Sequence, residues 1–524
     1  MSAQNEPGTN DAPGLDDPPP LTVARPGWVM VAVMAAMTMQ MLDTTIANVA
    51  LPKMQAALGA TQDTVTWVLT SYVLASAVVL PLAGWLVDRI GIKWLLVGSV
   101  ASFTLASVLC GLAQNLSQLV TFRVFQGIAG AFLSPLAQTV MLDTHTMRDR
   151  PRVMAIFTQG IMLGPIAGPL LGGYLTDSFS WRWVFFVNVP IGIACMLMLI
   201  ALLPATPRVR RKIDLAGWLL IAVAVSALQL MLDRGTTLDW FGSWEIVGYA
   251  VVSGSAFWMF GVHLATARAP LFAGAMFRDR NFVAATAFMF LIGLVMFSVM
   301  ALLPVMLQTI YGYTPIDSGW LLTPRGLGML ASMLLFGRFF PRIDARLLVA
   351  TGLGLTAFSL YLMTGWAPEM PRWPIVLSGF IQGVGLSFCF MPITLIMFAT
   401  LPASLRTDGS SLANLSRNLG ASTGIAIATV LLGRNIQVNH AELGAAVNRF
   451  GLPFDLDRAS AYGQYGEAGL RMLDAAINRQ AAMIAYLDDF WLMGIACLGA
   501  IPLLFVVRPA RASAAMPEEL ASAH

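Results

Sequence analysis

Apolar and polar residues alternate along this chain on a single long scale. Runs of about 20 apolar residues, each long enough to cross the roughly 30 Å hydrocarbon core of a bilayer as a helix, are separated by mostly short polar connections. They predict helices over 27–50, 65–87, 95–113, 118–141, 153–175, 183–203, 214–232, 245–265, 283–308, 318–336, 347–365, 374–398, 414–433 and 488–507. Ten-residue segments of strict alternation, the mark of an outer-membrane barrel, do not recur. The expected fold class is an all-α integral membrane protein with fourteen transmembrane helices. The segment 434–487 carries helical apolar spacing at both its ends and a middle of Gly, Pro, Asp and Tyr, so it is expected to continue the last two helices outside the membrane as a hairpin.

Polar residues inside the runs mark the candidate chemistry. The first run holds Gln40, Asp43, Thr44 and Asn48, of which Gln40, Thr44 and Asn48 share a face by four-residue spacing, with Asp43 beside it. A carboxylate in hydrocarbon is costly and faces the bundle interior or a water-filled cavity, where it marks an ion or substrate path or else serves as a structural hydrogen-bond partner. Asp43 is therefore the candidate to bind and release a proton. The fourth run holds Arg123 with Gln126, and with Gly127, Gly130 and Ser134 on the arginine's face. A guanidinium cannot be deprotonated, so Arg123 needs a buried acceptor, either carbonyls or a carboxylate. Asp43 is a candidate partner, but nothing in their spacing brings the two together. Arg325, beside Pro324, is a second arginine inside a span, and it either meets an anionic substrate or is capped by carbonyls. Gln308 is a further polar candidate for the cavity wall.

The fifth run contains GIMLGPIAGPLLGG, in which Gly160, Gly164, Gly168 and Gly172 recur every fourth residue and Pro165, Pro169 and Gly173 accompany them. In lipid such a stripe lets another helix approach backbone to backbone, while each proline removes one helical hydrogen bond and bends the rod.

Composition agrees with the pattern. Of 524 residues 57% are hydrophobic and 11% charged, against roughly 25% charged in soluble domains. Twenty of the 31 Lys and Arg fall in the termini and in alternate short loops. That bias places both termini in the cytoplasm, and the long segment 434–487 outside. Arg417 is expected at the cytoplasmic edge of the thirteenth helix as an anchoring charge. Cys110, Cys195, Cys389 and Cys497 sit in apolar runs without ligand spacing, and four histidines are scattered, so neither a disulfide framework nor a metal site is indicated. No phosphate-binding loop or nucleophile constellation appears. Enzyme chemistry, ATP-driven pumping and nucleic-acid binding lose their support, and no cofactor is expected.

Several motifs resemble those of one family. LDTTIANVALP from Leu42 to Pro52, the segment Gly84-Trp-Leu-Val-Asp88-Arg89-Ile-Gly91-Ile-Lys93, the run LVTFRVFQGIAGA around Arg123, the glycine stripe and WRWVFFVNVPIG from Trp181 resemble signatures of the major facilitator superfamily and its fourteen-helix drug-proton antiporters. Leu232 to Phe241, Phe277 to Phe282, Leu303-Pro304 with Leu307-Gln308, Pro324-Arg325-Gly326 and Arg417 to Gly420 are similar to the EmrB-type drug efflux permeases, so the resemblance spans nearly the whole chain.

Residues 1–26, polar and rich in Pro and acids, read by composition as a disordered cytoplasmic tail; behind it the resemblance implies a major facilitator fold, with a six-helix half 27–203, a linker with an inserted helix pair 204–282, a second half 283–507 and a cytoplasmic tail 508–524. An echo of the Asp88 motif, from Gly337-Arg338 to Asp344, fits a repeated half. It further implies that Asp43 and Arg123 couple protons, that Gly84, Asp88, Arg89, Gly91 and Lys93 latch an inner gate, and that the glycine stripe is an antiporter motif. By composition alone Trp181, Trp183 and Asn188 read as an outer interfacial belt. The implied activity is proton-coupled export of small lipophilic molecules across the bacterial inner membrane, with a periplasmic membrane-fusion adaptor and an outer-membrane channel as partners. An importer of a small organic solute, or a receptor without flux, are the alternatives.

Overall fold

The computed structural model describes residues 21–507 except 147–148, 210–211, 236, 269, 340–343 and 447–466. Its long helices are α1 Pro26–Leu58, α2 Trp67–Ile90, α3 Ile92–Leu112, α4 Leu116–Asp143, α5 Arg150–Ser178, α6 Trp183–Leu202, α7 Leu215–Gly235, α8 Trp244–Thr266, α9 Arg280–Thr309, α10 Pro315–Phe339, α11 Ala345–Thr364, α12 Trp373–Ala399, α13 Arg406–Ala446 and α14 Glu467–Gly499. Twelve of these are long and apolar enough to cross a membrane. That count is of the described residues, and it bears out the all-α membrane class without fixing the number of spans at fourteen. The other two, α5 and α10, are helices of 29 and 25 residues.

Local chemistry sets where the rods begin and end. Pro26 opens α1, where its missing N–H costs nothing, and Gly59 closes it with φ +61°. Asn115 caps α4 through Gln118 N, Asp279 caps α9 through Asn281 N, and Asp344 caps α11 through Arg346 N. Pro81 sits in a 3-10 turn, Leu80–Leu82, that interrupts α2. Gly91, at φ +90°, makes the sharp turn from α2 to α3 that an L side chain would strain.

In the first half α1 packs on α5 and α6, and α4 on α2 and α3. In the second, α9 packs on α13, α12 on α10 and α11, and α14 on α11 and α13. The halves meet along two seams, α5 against α10 and α13 against α4 and α2. The inserted helices α7 and α8 pack on each other outside this bundle. α7 lies on α2 and α13, held by a bond from Trp218 Nε1 to Val78 O at 2.9 Å, and Ser253 Oγ of α8 donates to Ala224 O at 2.9 Å. Trp244, Trp258 and Val251 of α8 are exposed, as lipid contact requires.

α13 begins at Arg406, eight residues earlier than the apolar run suggests, and continues to Ala446, while α14 starts at Glu467. Its early start corrects the placement of Arg417. That residue is not an edge anchor but lies about 16 Å into the helix, half-buried. His440 and Asp474 join the two extensions at 3.0 Å. The middle of the hairpin, residues 1–20 of the first tail, the second tail and part of the Gly337–Asp344 echo lie outside the described residues.

Candidate functional site

Asp43 of α1 and Arg123 of α4 meet at the centre of the first half, both at 0% exposure. Arg123 Nη1 donates to Asp43 Oδ2 at 2.6 Å and to Gln126 Oε1 at 2.7 Å, and Nε donates to Val68 O of α2 at 2.9 Å. Gln126 Nε2 donates to Asp43 Oδ1 at 2.8 Å and to Ser107 Oγ of α3 at 2.6 Å. Asn188 Nδ2 of α6 donates to the same Asp43 oxygen at 2.8 Å and to Ser107 Oγ at 3.0 Å. The guanidinium lies 4.4 Å from the Tyr72 ring centroid. Five helices thus converge on one ion pair. The Asp43 carboxylate thus accepts from three donors, one of them cationic. Arg123 Nη2 and Asn188 Oδ1 are buried without a partner among the described residues, so the network has bonding capacity to spare when it rearranges.

Asn188 and Ser107 are the members that sequence reasoning missed. Asn188 had the setting of an interfacial belt, and a lone serine in an apolar run carries no signal. The belt itself divides: Trp183 is exposed, while Trp181 turns inward and Arg182 Nη1 caps α3 through Ala113 O at 2.7 Å.

The other candidates on α1 spread away from the pair. Gln40 Nε2 donates to Gly130 O at 2.9 Å, Thr44 Oγ1 to Met41 O at 3.0 Å, and Asn48 Nδ2, exposed, to Thr44 O at 3.1 Å. Gln308 is exposed at the end of α9, apart from the buried centre. Arg325 donates to Gln382 of α12, and Arg417 lies 6.0 Å over Phe390; the Nε of each is buried without a partner among the described residues.

The glycine stripe faces α1, within its own half. Side chains at Gly160, Gly164, Gly168 and Gly172 would meet Met34, Met41, Thr45 and Ile46 in turn, whereas Gly173 faces open space. Two parallel rods therefore approach closely along the helix that carries Asp43. The helical backbone continues through Pro165 and Pro169.

The face that carries the α2–α3 turn is closed. Asp408, in the first turn of α13, fills the space over Gly84, so a side chain there would displace it. Arg89 lies 5.6 Å over Trp85, Lys93 Nζ donates to Ile200 O at 2.8 Å, and Asp88 O accepts from Val209 N at 2.8 Å. Alongside, α4 and α13 are joined by a row of polar bonds. Ser134 Oγ donates to Asn414 Oδ1 at 2.8 Å, Ser410 to Gln138, and Arg406 to Asp143, while Thr139 and Thr407 share a bond at 3.2 Å. Every rung crosses between the halves. Leu21 N, at the start of the described chain, donates to Asp143 O at 2.8 Å, which places the N-terminal segment on this same face.

Two halves of membrane-spanning helices, a buried carboxylate–guanidinium pair inside one of them and a polar seam between them have the architecture of a two-half membrane transporter. The Major Facilitator Superfamily model matches residues 33–425, and the chain belongs to that family. It is 34% identical over 499 residues to the multidrug export protein EmrB of Escherichia coli K12, covering 94% of this chain and 97% of the relative. It is 33% identical over 498 residues to the fatty acid resistance protein FarB of Neisseria gonorrhoeae, covering 94% and 98%. In structure it resembles the proton:xylose symporter XylE, with a TM-score of 0.61 over 93% of this chain and 96% of that one, and the human organic anion transporter MFSD10, with 0.57 over 91% and 99%. Both are 12% identical and speak for the fold alone. The chain is a multi-pass membrane transporter and not an enzyme.

Proposed function

We propose that the protein is a proton-driven exporter of lipophilic drugs or toxic small molecules. The observation that carries this reading is the fully buried Asp43–Arg123 pair in a chain similar over nearly its whole length to multidrug export proteins. With Asp43 sealed and bonded to Arg123, the closed face corresponds to a charged, unprotonated centre. A proton that reaches Asp43 from the opposite side removes the attraction, frees Arg123 for its carbonyl and ring contacts, and loosens α1 from α4. Each proton crossing about 100 mV supplies about 2.3 kcal/mol, roughly a fifty-fold substrate gradient.

The closed face is the cytoplasmic one, by the distribution of Lys and Arg, and the membrane is the bacterial inner membrane. The extensions of α13 and α14 then project into the periplasm, where they suit a membrane-fusion adaptor leading to an outer-membrane channel. In the second half Arg325 and Arg417 have no carboxylate partner among the described residues. Cationic side chains without an acid beside them favour neutral or weakly acidic lipophilic molecules over dications as the substrate.

The test is transport of a lipophilic dye by proteoliposomes under an imposed pH gradient of either sign. Wild type is expected to move dye against the proton flow, and Asp43→Asn to lose uphill movement while retaining dye binding. Movement of dye with the protons would favour import, and uphill pumping by Asp43→Asn would remove Asp43 from the mechanism.

A further inference from the structure

The second half holds a carboxyl group of its own in the membrane span, Asp489 on α14, only 2% exposed. Its Oδ2 has no hydrogen-bond partner, and no cation pairs with it among the described residues. The charges nearby have been claimed elsewhere or lie at a distance. Arg372 lies 5.2 Å over Tyr313, Arg479 is about 15 Å up the helix beside Tyr311, and Arg434 stands on the neighbouring α13. The titratable groups that act with Asp489 are its own neighbours, Asp488 and Tyr486. The elements packed on α14, namely α9, α11 and α13, contribute apolar side chains such as Leu302, Leu360 and Ala428 to the cluster that also holds Tyr486 and Phe490. Phe490 stands edge-on to Trp366 at 6.0 Å on the other side.

An ionised carboxylate without donor or counter-charge is untenable in such a place, so the site calls for a proton as its ligand. Access is short. Tyr486 bonds Thr309, the last residue of α9, one helical turn above, and Asp488 beside it is exposed. Both lie towards the end of the bundle opposite the closed face.

We propose that Asp489 is a second proton-binding site, belonging to the C-terminal half. It takes a proton from water on the outer side, past Asp488, and releases it when rocking of the halves exposes α14 to the inner side. This rests on the antiport reading above and adds one proton per cycle to the one carried by Asp43. No bond other than carboxyl O–H forms or breaks.

The experiment uses the full chain in proteoliposomes, as wild type, Asp489→Asn, Asp489→Glu and Asp43→Asn. Infrared titration follows the C=O stretch of protonated carboxyls, and the reversal potential of dye flux gives the proton-to-dye ratio. A carboxyl band is expected to titrate, to vanish in Asp489→Asn, and to persist in Asp489→Glu and Asp43→Asn. In Asp489→Asn the ratio falls by one, and the dye gradient held at about 100 mV falls roughly fifty-fold; Asp489→Glu keeps both. A band that does not titrate, or an unchanged ratio in Asp489→Asn, overturns the proposal. Failure of the Asp43 reading shows separately, as uphill pumping by Asp43→Asn.

Discussion

At the scale of single residues, the ion pair is held by the surroundings that surround it on every side. Removing one partner of a buried pair leaves the other charge uncompensated, a cost of roughly 3–5 kcal/mol, whereas removing both is much milder. Arg123→Ala is therefore expected to lower the thermal stability of the purified protein sharply, and Arg123→Ala combined with Asp43→Ala to recover most of the loss. Equal melting of the two would mean that the pair is open in solution. Asn188→Ala removes one of three donors to Asp43 and is expected to cost about 1–3 kcal/mol, again read by melting. Asp43 and Arg123 stood out in the sequence because charge in an apolar run is expensive. Asn188 did not, because an amide near tryptophans has a common explanation at the membrane surface, and only the inward turn of α6 directs it to Asp43.

Among elements, the contact of α5 with α1 is limited by glycine. A side chain at Gly168 would collide with Thr45. Gly168→Leu is expected to cost about 1–3 kcal/mol through overpacking and to shift α1, so that dye transport falls while Gly173→Leu, at an open position, remains near wild type. The stripe was legible as a close contact, but which helix it meets was not, since every neighbour in lipid is apolar.

The inserted pair has an anchor of a different kind. Asp214, just before α7, accepts bonds from Gly217 N and Leu271 N at 2.9 Å and faces His263 of α8. Burial pushes its carboxyl upward, but these bonds outweigh that effect and hold it below the usual carboxylate range. A depressed folded value means the stabilisation is present above the unfolded value of about 3.9 and is lost as pH falls through the folded one. Wild type is thus expected to melt above Asp214→Asn at neutral pH, with the difference closing below about pH 4. A gap that does not change with pH would assign the effect to packing.

For the whole molecule, the polar row between α4 and α13 sets the state observed. Its rungs are hydroxyls and amides with one ion pair at the end, which part at low cost because water replaces each bond on opening. A disulfide from Ser134→Cys with Asn414→Cys should lock this face, stop dye export, and release it on reduction. The native cysteines are free and buried, and offer no competing partner there. Export unaffected by the cross-link would mean that this face does not open during the cycle.

The chain by itself determined that it lives in a membrane, roughly where its helices run, and that Asp43 and Arg123 lie within them. Hydrophobic length and the cost of charge in hydrocarbon act on each segment alone, so they are readable one segment at a time. Tertiary structure decided that Asp43 and Arg123 touch, that Asn188 and Ser107 complete their shell, that the glycines face α1, that Arg417 is internal, and that α4 closes on α13. These depend on how the rods rotate and pack against one another. In lipid that is settled by small residues and buried polar bonds spread over many helices, and no single segment records it.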